Sequence, residues 1–348
     1  MDLRSFSFHI ILFILSFLYM IPKNNAFQIN QSYDAKTEFY IAMVIPLTAL
    51  SFNLLGTFYI FYRTYLRWKH ERKSILLSHR FPFYIAIIDF LYSLTDLINH
   101  SYSASNKSKF LNKEVITWPS PVCDIIGFCI VLFASINVLL VGAISITTWL
   151  RVVQEYYFKL GKYDYKIWLP IIFLSSILPL STINSYGAQK YDCGIKAGHD
   201  VIGSLFFIVV ILTLSTIIFC YIHILKTIHN IKEDNSSIAS SNNNLMRLND
   251  IERKTLKKVL TYILVFILQY VPVLIYDIFW FLKIQNLIVD TLASTVLCFG
   301  GIGNVIQYIC NEGLTLKYRS SIIVIPSNYK PEATDEQQSN DDSTIASV

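Results

Sequence analysis

Long apolar runs separated by short polar segments dominate the chain from residue 38 to residue 310. Each run has about the 20 residues that a helix needs to cross the hydrocarbon core of a bilayer. The pattern predicts an all-α membrane protein with a bundle of seven transmembrane helices, here called the first to the seventh span. The spans cover approximately Glu38–Tyr62, Phe81–Tyr102, Cys123–Leu150, Ile167–Tyr186, Val201–Leu225, Leu256–Leu282 and Leu287–Cys310.

Composition agrees with a lipid-solvated surface. Charged residues make up 15% of the 348 residues and hydrophobic residues 53%, whereas soluble domains carry about a quarter charged residues. The formal net charge of +5 is modest. The sequence contains no phosphate-binding loop, metal motif or nucleophile–base pair. We therefore expect no enzyme, no cofactor, no metal site and no nucleic-acid partner.

A shorter apolar run near the N-terminus has the order of a secretory signal. Arg4 precedes the run, and small or polar residues follow it up to Ala26. This order predicts a signal peptide over residues 1–26, although an additional N-terminal helix is the alternative. Cleavage would leave residues 27–37 as an extracellular tail, with Asn30 as the glycosylation site of an Asn-Gln-Ser sequon.

Positive charges lie mostly on one side of the spans. The loops after the first, third and fifth spans are rich in lysine and arginine, whereas the alternate loops are poorer. The positive-inside rule places the rich loops in the cytoplasm and the N-terminus outside, as in a multi-pass plasma-membrane protein. Asn106 is then a second extracellular glycosylation site. Residues 320–348, rich in Ser, Asp, Glu and Gln, form a cytoplasmic tail that we expect to be disordered.

Two of the six cysteines lie at the outer ends of the predicted bundle. Cys123 opens the third span, and Cys193 lies in the loop after the fourth span. Because the extracellular compartment is oxidising, a disulfide between them would tie this loop to the third span. The alternative is two free thiols.

Five polar residues interrupt the apolar spans at depths where lipid would surround them. They are Asn53, Asp89, Asn137, Asn304 and Tyr308. Each is costly in hydrocarbon and should face the bundle interior. One interpretation is polar contacts between packed helices. We favour a shared cluster around Asp89 that can hold water, a proton or a small cation, because helix packing explains a buried aspartate poorly.

Several short motifs, taken in order, resemble those of the rhodopsin-like (class A) G-protein-coupled receptors. Asn53 and Asp89 match the polar residues of the first two helices of that family, and Cys123 and Cys193 match its disulfide. Two further motifs resemble Phe-x-x-Cys-Trp-x-Pro and Asn-Pro-x-x-Tyr of the family: Phe266-x-x-Gln269-Tyr270-x-Pro272 and Asn304-Val-x-x-Tyr308.

The resemblance covers residues 38–319 and implies a fold and a mechanism. It implies a short amphipathic eighth helix after the seventh span, an extracellular ligand, and a heterotrimeric G protein as the cytoplasmic partner. Outward movement of the sixth helix about Pro272 would open the cytoplasmic side, with Phe266, Gln269 and Tyr270 as the rest of the switch. The G-protein side would include Tyr221 and the basic end of the sixth span: Arg253, Lys254, Lys257 and Lys258.

The sequence also departs from the family. Thr147-Thr148-Trp149 stands where the family has Asp-Arg-Tyr, so Thr148 replaces the arginine that contacts the G protein; Arg151 lies one turn further along. Val305 replaces the proline of the seventh helix. These changes leave open a seven-helix receptor or scaffold that acts without G proteins, including one of the cyclic-AMP-receptor type. A transporter is less favoured because no repeated halves are visible.

The ligand is less visible than the fold. Acidic and aromatic residues lie at the predicted outer ends of the spans, which favours a cationic or peptide ligand, although a hydrated rim explains them equally well. The candidates are Asp96, Asp124, Tyr276, Asp277 and Asp290.

Overall fold

A computed structural model describes residues 33–71, 77–112, 114, 116–156, 160–161, 164–189, 192–196, 200–238, 264–279, 282, 284, 286–298 and 300–312. Several expectations lie outside these ranges. They concern the signal peptide, Asn30, the eighth helix beyond residue 312, the basic end of the sixth span (residues 253–258) and the tail over 320–348.

Seven helices account for most of the described chain, and we name them α1 to α7. Helix α1 joins an α-helical turn, a π-helical turn and a long α-helix, and α7 is built from two segments that meet at a 42° bend. Their bounds are Ala35–Phe39, Tyr40–Val44 and Ile45–Glu71 for α1; Leu77–Ser105 for α2; Val122–Val152 for α3; Tyr165–Ser181 for α4; Asp200–Ile238 for α5; Leu264–Phe279 for α6; and Leu287–Cys298 with Gly300–Glu312 for α7.

These helices have the lengths and composition of membrane spans. Helices α1, α2, α3 and α5 are each long and apolar enough to cross a bilayer, and the two segments of α7 pass the same test together. As described, α4 and α6 are shorter apolar helices. Helices α1, α2, α3, α5 and α7 extend past the apolar runs because a helix continues into polar residues beyond the hydrocarbon core.

The fourth helix is shorter than the sequence analysis predicted. It ends at Ser181 rather than near Tyr186, and the chain continues through a 3-10 turn at Ile183–Ser185. Thr182 leaves the helical conformation with φ −128°, and its hydroxyl bonds back to the Leu178 carbonyl at 3.0 Å. The apolar residues that follow therefore belong to a loop, although hydropathy alone places them in the span.

A small hairpin follows α4 and packs on α3. Strands β1 (Tyr186–Ala188) and β2 (Cys193–Ile195) are antiparallel, with Tyr186 opposite Ile195 and Ala188 opposite Cys193. The Gln189 N–H donates to the Asp192 carbonyl at 2.8 Å and closes the turn. The hairpin marks one end of the bundle, which we call the disulfide end.

The interior joins helices α2 to α6. Its main apolar cluster includes Ile88 of α2, Val138 of α3, Ile171 of α4, Ile217 of α5 and Phe266 of α6. All five side chains are buried, whereas many large apolar residues on the outer faces of the helices are exposed. A helix bundle in lipid has apolar residues both in its interior and on its outer faces, because lipid tails solvate the outer faces.

Candidate functional site

Three helices meet at the carboxylate of Asp89. Asn137 of α3 donates its side-chain N–H to Oδ1 at 2.6 Å, and Asn304 of α7 donates to Oδ2 at 3.0 Å. All three side chains are buried. Each oxygen of the Asp89 carboxyl group therefore accepts a hydrogen bond from one amide. The structure thus brings together three of the five polar residues singled out in the spans.

The other two polar residues lie beside this centre. Asn53 of α1 donates to the Ser93 hydroxyl, one turn along α2 from Asp89, and is itself buried. Tyr308 is buried further along α7, where the guanidinium of Arg67 lies 5.3 Å from its ring centroid. The polar core therefore runs from α1 through α2 to α3 and α7, with the tyrosine toward the end away from the disulfide.

The aromatic pair of α6 faces the interior rather than lipid. Phe266 and Tyr270 are 3% and 1% exposed, and their ring centroids lie 4.2 Å apart. Pro272 lies within the same helix, where it removes one backbone hydrogen bond. Gln269, also buried, donates its Nε2–H to the Leu297 carbonyl of α7 at 2.9 Å.

Helix α7 bends without a proline. The bend falls between Cys298 and Gly300, at a Gly300–Gly301 pair, and the sequence of α7 contains no proline at all. Glycine pairs are a recognised cause of helix kinks. Neighbouring side chains occupy the space that a Cβ would need at both positions: Gln269 of α6 at Gly300 and Asn53 of α1 at Gly301. The bend thus lies where α7 packs most closely on its neighbours.

The disulfide end is held by a covalent and a polar link. Cys123 and Cys193 form a disulfide, as the sequence predicted, and the alternative of two free thiols is wrong. The Asn99 side chain of α2 is 1% exposed and bonds the backbone of Cys193 twice. It donates to the Cys193 carbonyl at 3.1 Å and accepts from the Cys193 N–H at 3.0 Å. The hairpin is therefore fixed to α2 as well as to α3.

The acidic candidates at the disulfide end lie in different environments. Asp96 is buried and pairs with His100 at 3.1 Å. Asp124 accepts from the Ser120 hydroxyl at 2.8 Å and lies 3.8 Å from the Lys196 ammonium.

The two remaining aspartates, on α6 and α7, differ from each other in burial. Asp277 is buried, and its Oδ2 has no hydrogen-bond partner among the described residues; Asp290 is exposed, and Tyr276 is half-buried. Asp277, Asp290 and the hairpin residue Asp192 all act electrostatically on Tyr276.

One acidic residue of the hairpin was missed by the sequence analysis. Asp192 precedes Cys193 in the turn between the strands. Burial raises its pKa from the ordinary 3.8 to about 6, while the charge of His100 opposes this rise and that of Asp96 adds to it. An aspartate in a polar loop gives no signal in the sequence that it lies against a buried His–Asp pair.

The end away from the disulfide carries the departure from Asp-Arg-Tyr. Thr147 donates its hydroxyl to the Ala143 carbonyl at 2.7 Å, and Thr148 donates to the Ile144 carbonyl at 2.8 Å. Both threonines are buried, whereas Arg151 and Tyr221 are half-buried. The threonine hydroxyls are thus bonded to their own helix, and Arg151 is the basic residue in the last turn of α3.

A second polar cluster at this end was also missed. The carboxylate of Asp164, just before α4, accepts from Nη1 of Arg80 at 3.1 and 3.2 Å and from the Tyr84 hydroxyl at 2.7 Å. The Tyr84 ring lies edge-on to Trp168 with centroids 5.3 Å apart. Asp164 is the N-cap residue of α4, but its side chain makes no capping hydrogen bond and is used instead by Arg80 and Tyr84.

Comparisons with known proteins agree with this architecture. A family model described as 7 transmembrane receptor (rhodopsin family) matches residues 60–306, which is more than half of the chain. Among solved structures, the crystal structure of squid rhodopsin superposes with a TM-score of 0.63 and 14% sequence identity, over 80% of this chain and 82% of that chain.

The structural match, at this low identity, shows the fold alone. A comparison with curated protein sequences gives no match. The family is one of receptors and not of enzymes. The extent of the family match, the seven-helix bundle and the disulfide between α3 and the hairpin together show that this chain belongs to the rhodopsin family of seven-transmembrane receptors.

Proposed function

We propose that this receptor binds an extracellular ligand at its disulfide end and signals to a heterotrimeric G protein at the opposite end. Outward movement of the lower half of α6, about Pro272, opens the cytoplasmic side. The observation that carries this proposal is the Asp89 centre. A carboxylate buried at membrane depth and bonded by amides from two other helices is costly. Because its hydrogen bonds join α2, α3 and α7, a change in these bonds can shift all three helices together.

The α6 geometry supports movement of that helix. Pro272 weakens the helix backbone beside the buried pair Phe266 and Tyr270. A ligand shifts such an equilibrium only by binding the two conformations with different affinity. We propose that the ligand contacts side chains at the disulfide end. The candidates are Tyr276 and Asp277, which lie between Tyr270 and that end of α6, together with Asp96, Asp124 and Asp290.

The proposed orientation places the disulfide end outside the cell. An oxidising compartment favours the Cys123–Cys193 bridge, and the basic loops favour a cytoplasmic opposite end. Mass-spectrometric glycan mapping tests the orientation. Asn30 and Asn106 should carry glycans, whereas Asn235, also in a formal sequon, should not. A glycan on Asn235 would reverse the topology.

Arg151 is the proposed cationic contact for the G protein, together with the basic residues 253–258. The test is G-protein dissociation in cells, for each G-protein class, at matched surface expression and without added ligand. The wild type should give a basal signal, because a threonine at position 148 cannot form the ionic restraint of the family. Arg151→Ala should lower that signal with little change in surface level.

A matched control is Lys109→Ala, which removes a positive charge from the short helix Lys107–Leu111 at the disulfide end. It should leave the signal unchanged. Equal loss of signal in both variants would indicate a general effect of charge and contradict the assigned role of Arg151.

A second candidate is a seven-helix receptor or scaffold that acts without G proteins. It is favoured by the hydroxyls of Thr147 and Thr148, which bond carbonyls of α3 instead of facing a partner. The same assay separates the two functions. No dissociation in any G-protein class, with Arg151→Ala silent, would favour this second candidate.

A further inference from the structure

We infer that the hydrogen bond from Gln269 to Leu297 holds α6 against the bend of α7, and that α6 must break this bond to move outward. The inference rests on the proposed function only for that last movement. The contact itself joins the helix that carries Pro272 to the last turn of the first α7 segment.

The bend in α7 creates the need for this bond. Carbonyls in the last turn of a helix lack partners within the helix, and Leu297 lies one residue before the first segment ends at Cys298. An unsatisfied carbonyl in the bundle interior is costly. Gln269 supplies the missing donor at 2.9 Å from a side chain that is 7% exposed.

Gly300, at the start of the second α7 segment, leaves the space that the side-chain amide of Gln269 occupies. The Gln269 amide occupies the space that a Cβ at position 300 would fill. Gly300 therefore does more than permit the bend, because it leaves room for the donor that satisfies the carbonyl at the bend. Gln269 and Gly300 form one device, which we call the α6–α7 clasp.

The clasp suits a chain without the ionic restraint at the end of α3. Thr148 is bonded within its own helix and cannot restrain α6. The Gln269–Leu297 bond joins α6 to α7 in the interior of the bundle, so its loss should favour the open arrangement of α6.

Hydrogen–deuterium exchange of the full-length receptor in lipid nanodiscs tests the clasp. The readout is the exchange rate of the backbone amides between residues 297 and 303. Gln269→Met keeps the length of the side chain but removes the donor, and Gln269→Asn keeps the amide but withdraws it by one methylene. Loss of one such bond should speed exchange about three- to fivefold in both variants.

The matched control is Leu268→Met, a substitution of similar volume at the neighbouring α6 residue, which is 59% exposed. Its exchange should equal that of the wild type. Wild-type rates in both Gln269 variants, or equal acceleration in the Leu268 control, would overturn the inference.

The basal G-protein signal separates this inference from the proposed function. Faster exchange with a raised basal signal supports both. Faster exchange with no G-protein signal in any variant supports the clasp and contradicts G-protein coupling. A raised signal with unchanged exchange overturns the clasp and leaves the proposed function standing.

Discussion

Replacing Asp164 by asparagine should destabilise the receptor, because it removes the negative charge that Arg80 and Tyr84 contact at the start of α4. Asp164 has φ +55°, and asparagine adopts this left-handed conformation about as readily as aspartate. The substitution therefore isolates the electrostatic effect. The variant keeps a side chain of the same size but presents a neutral amide to Arg80 and Tyr84.

The magnitude follows from burial of the two partners. Removing one member of a fully buried ion pair costs about 3–5 kcal/mol, and the Asp164 side chain is only 2% exposed. The Arg80 side chain is 30% exposed, so water continues to solvate part of its charge and the loss is smaller. We expect about 2 kcal/mol for Asp164→Asn, and about 1.5 kcal/mol for Tyr84→Phe, which removes one hydrogen bond to a carboxylate.

Thermal unfolding in detergent, followed with a thiol-reactive dye, measures the effect. The buried thiols of Cys220 and Cys298 become reactive when the bundle opens. A loss of about 2 kcal/mol should lower the melting temperature by about 3–4 °C in a domain of this size. The ordering of the variants is the sharper test, with Asp164→Asn lower than Tyr84→Phe.

Asp124→Asn is the matched control. Asp124 also faces a cation, but the pair is 3.8 Å apart and its side chains are 34% and 42% exposed. Such a surface pair contributes about 0–1 kcal/mol. A melting temperature for Asp164→Asn as high as that of Asp124→Asn would refute the argument from burial.

Three further predictions concern the disulfide and two other acidic residues, Asp89 and Asp192. Cys123→Ser should reduce surface expression, and adding Cys193→Ser should reduce it no further, because either change alone removes the same bond; flow cytometry compares them. Asp89→Asn should lower the free energy of unfolding by about 1–3 kcal/mol, because the amide has one acceptor oxygen instead of two and one of the two asparagine donors loses its acceptor; thermal unfolding measures the loss. The raised pKa of Asp192 means that the folded loop binds its proton more tightly than the unfolded chain. Stability should therefore rise as pH falls from about 6 toward 4, and Asp192→Asn should flatten that part of the melting-temperature profile.

The seven-helix fold could be predicted because lipid imposes a strong rule on the sequence. A span must be apolar over about 20 residues, and polar residues inside it must find partners. These two rules led from residue types alone to Asp89, Asn137 and Asn304, which share hydrogen bonds in the structure. Separate polar contacts between packed helices were the alternative, and the aspartate at that depth favoured the shared cluster.

The sequence did not reveal contacts that form in loops, at a helix bend or in short strands, because hydropathy gives no signal there. Asp164 lies in a polar loop segment, where many partners are possible and hydropathy makes no choice among them. The partner of Gln269 is a backbone carbonyl that requires a donor only because α7 bends. The apolar run of α7 continues through that bend without a proline, so hydropathy could not locate it. The three-residue strands are likewise too short for a period-two pattern to stand out.

The double hydrogen bond of Asn99 puts glycosylation and folding in competition for one nitrogen atom. Asn99 begins the formal sequon Asn99-His-Ser, yet its side-chain nitrogen donates to Cys193 and is buried. In the proposed orientation the sequon lies at the lumenal end of the second span. A sugar attached there would leave the hairpin unable to dock on α2, so a molecule modified before docking could not reach this fold. A glycan on Asn99 would therefore mark a molecule in which glycosylation preceded docking of the hairpin on α2. The glycosylated Asn99 peptide should be found only in receptor that fails to leave the endoplasmic reticulum.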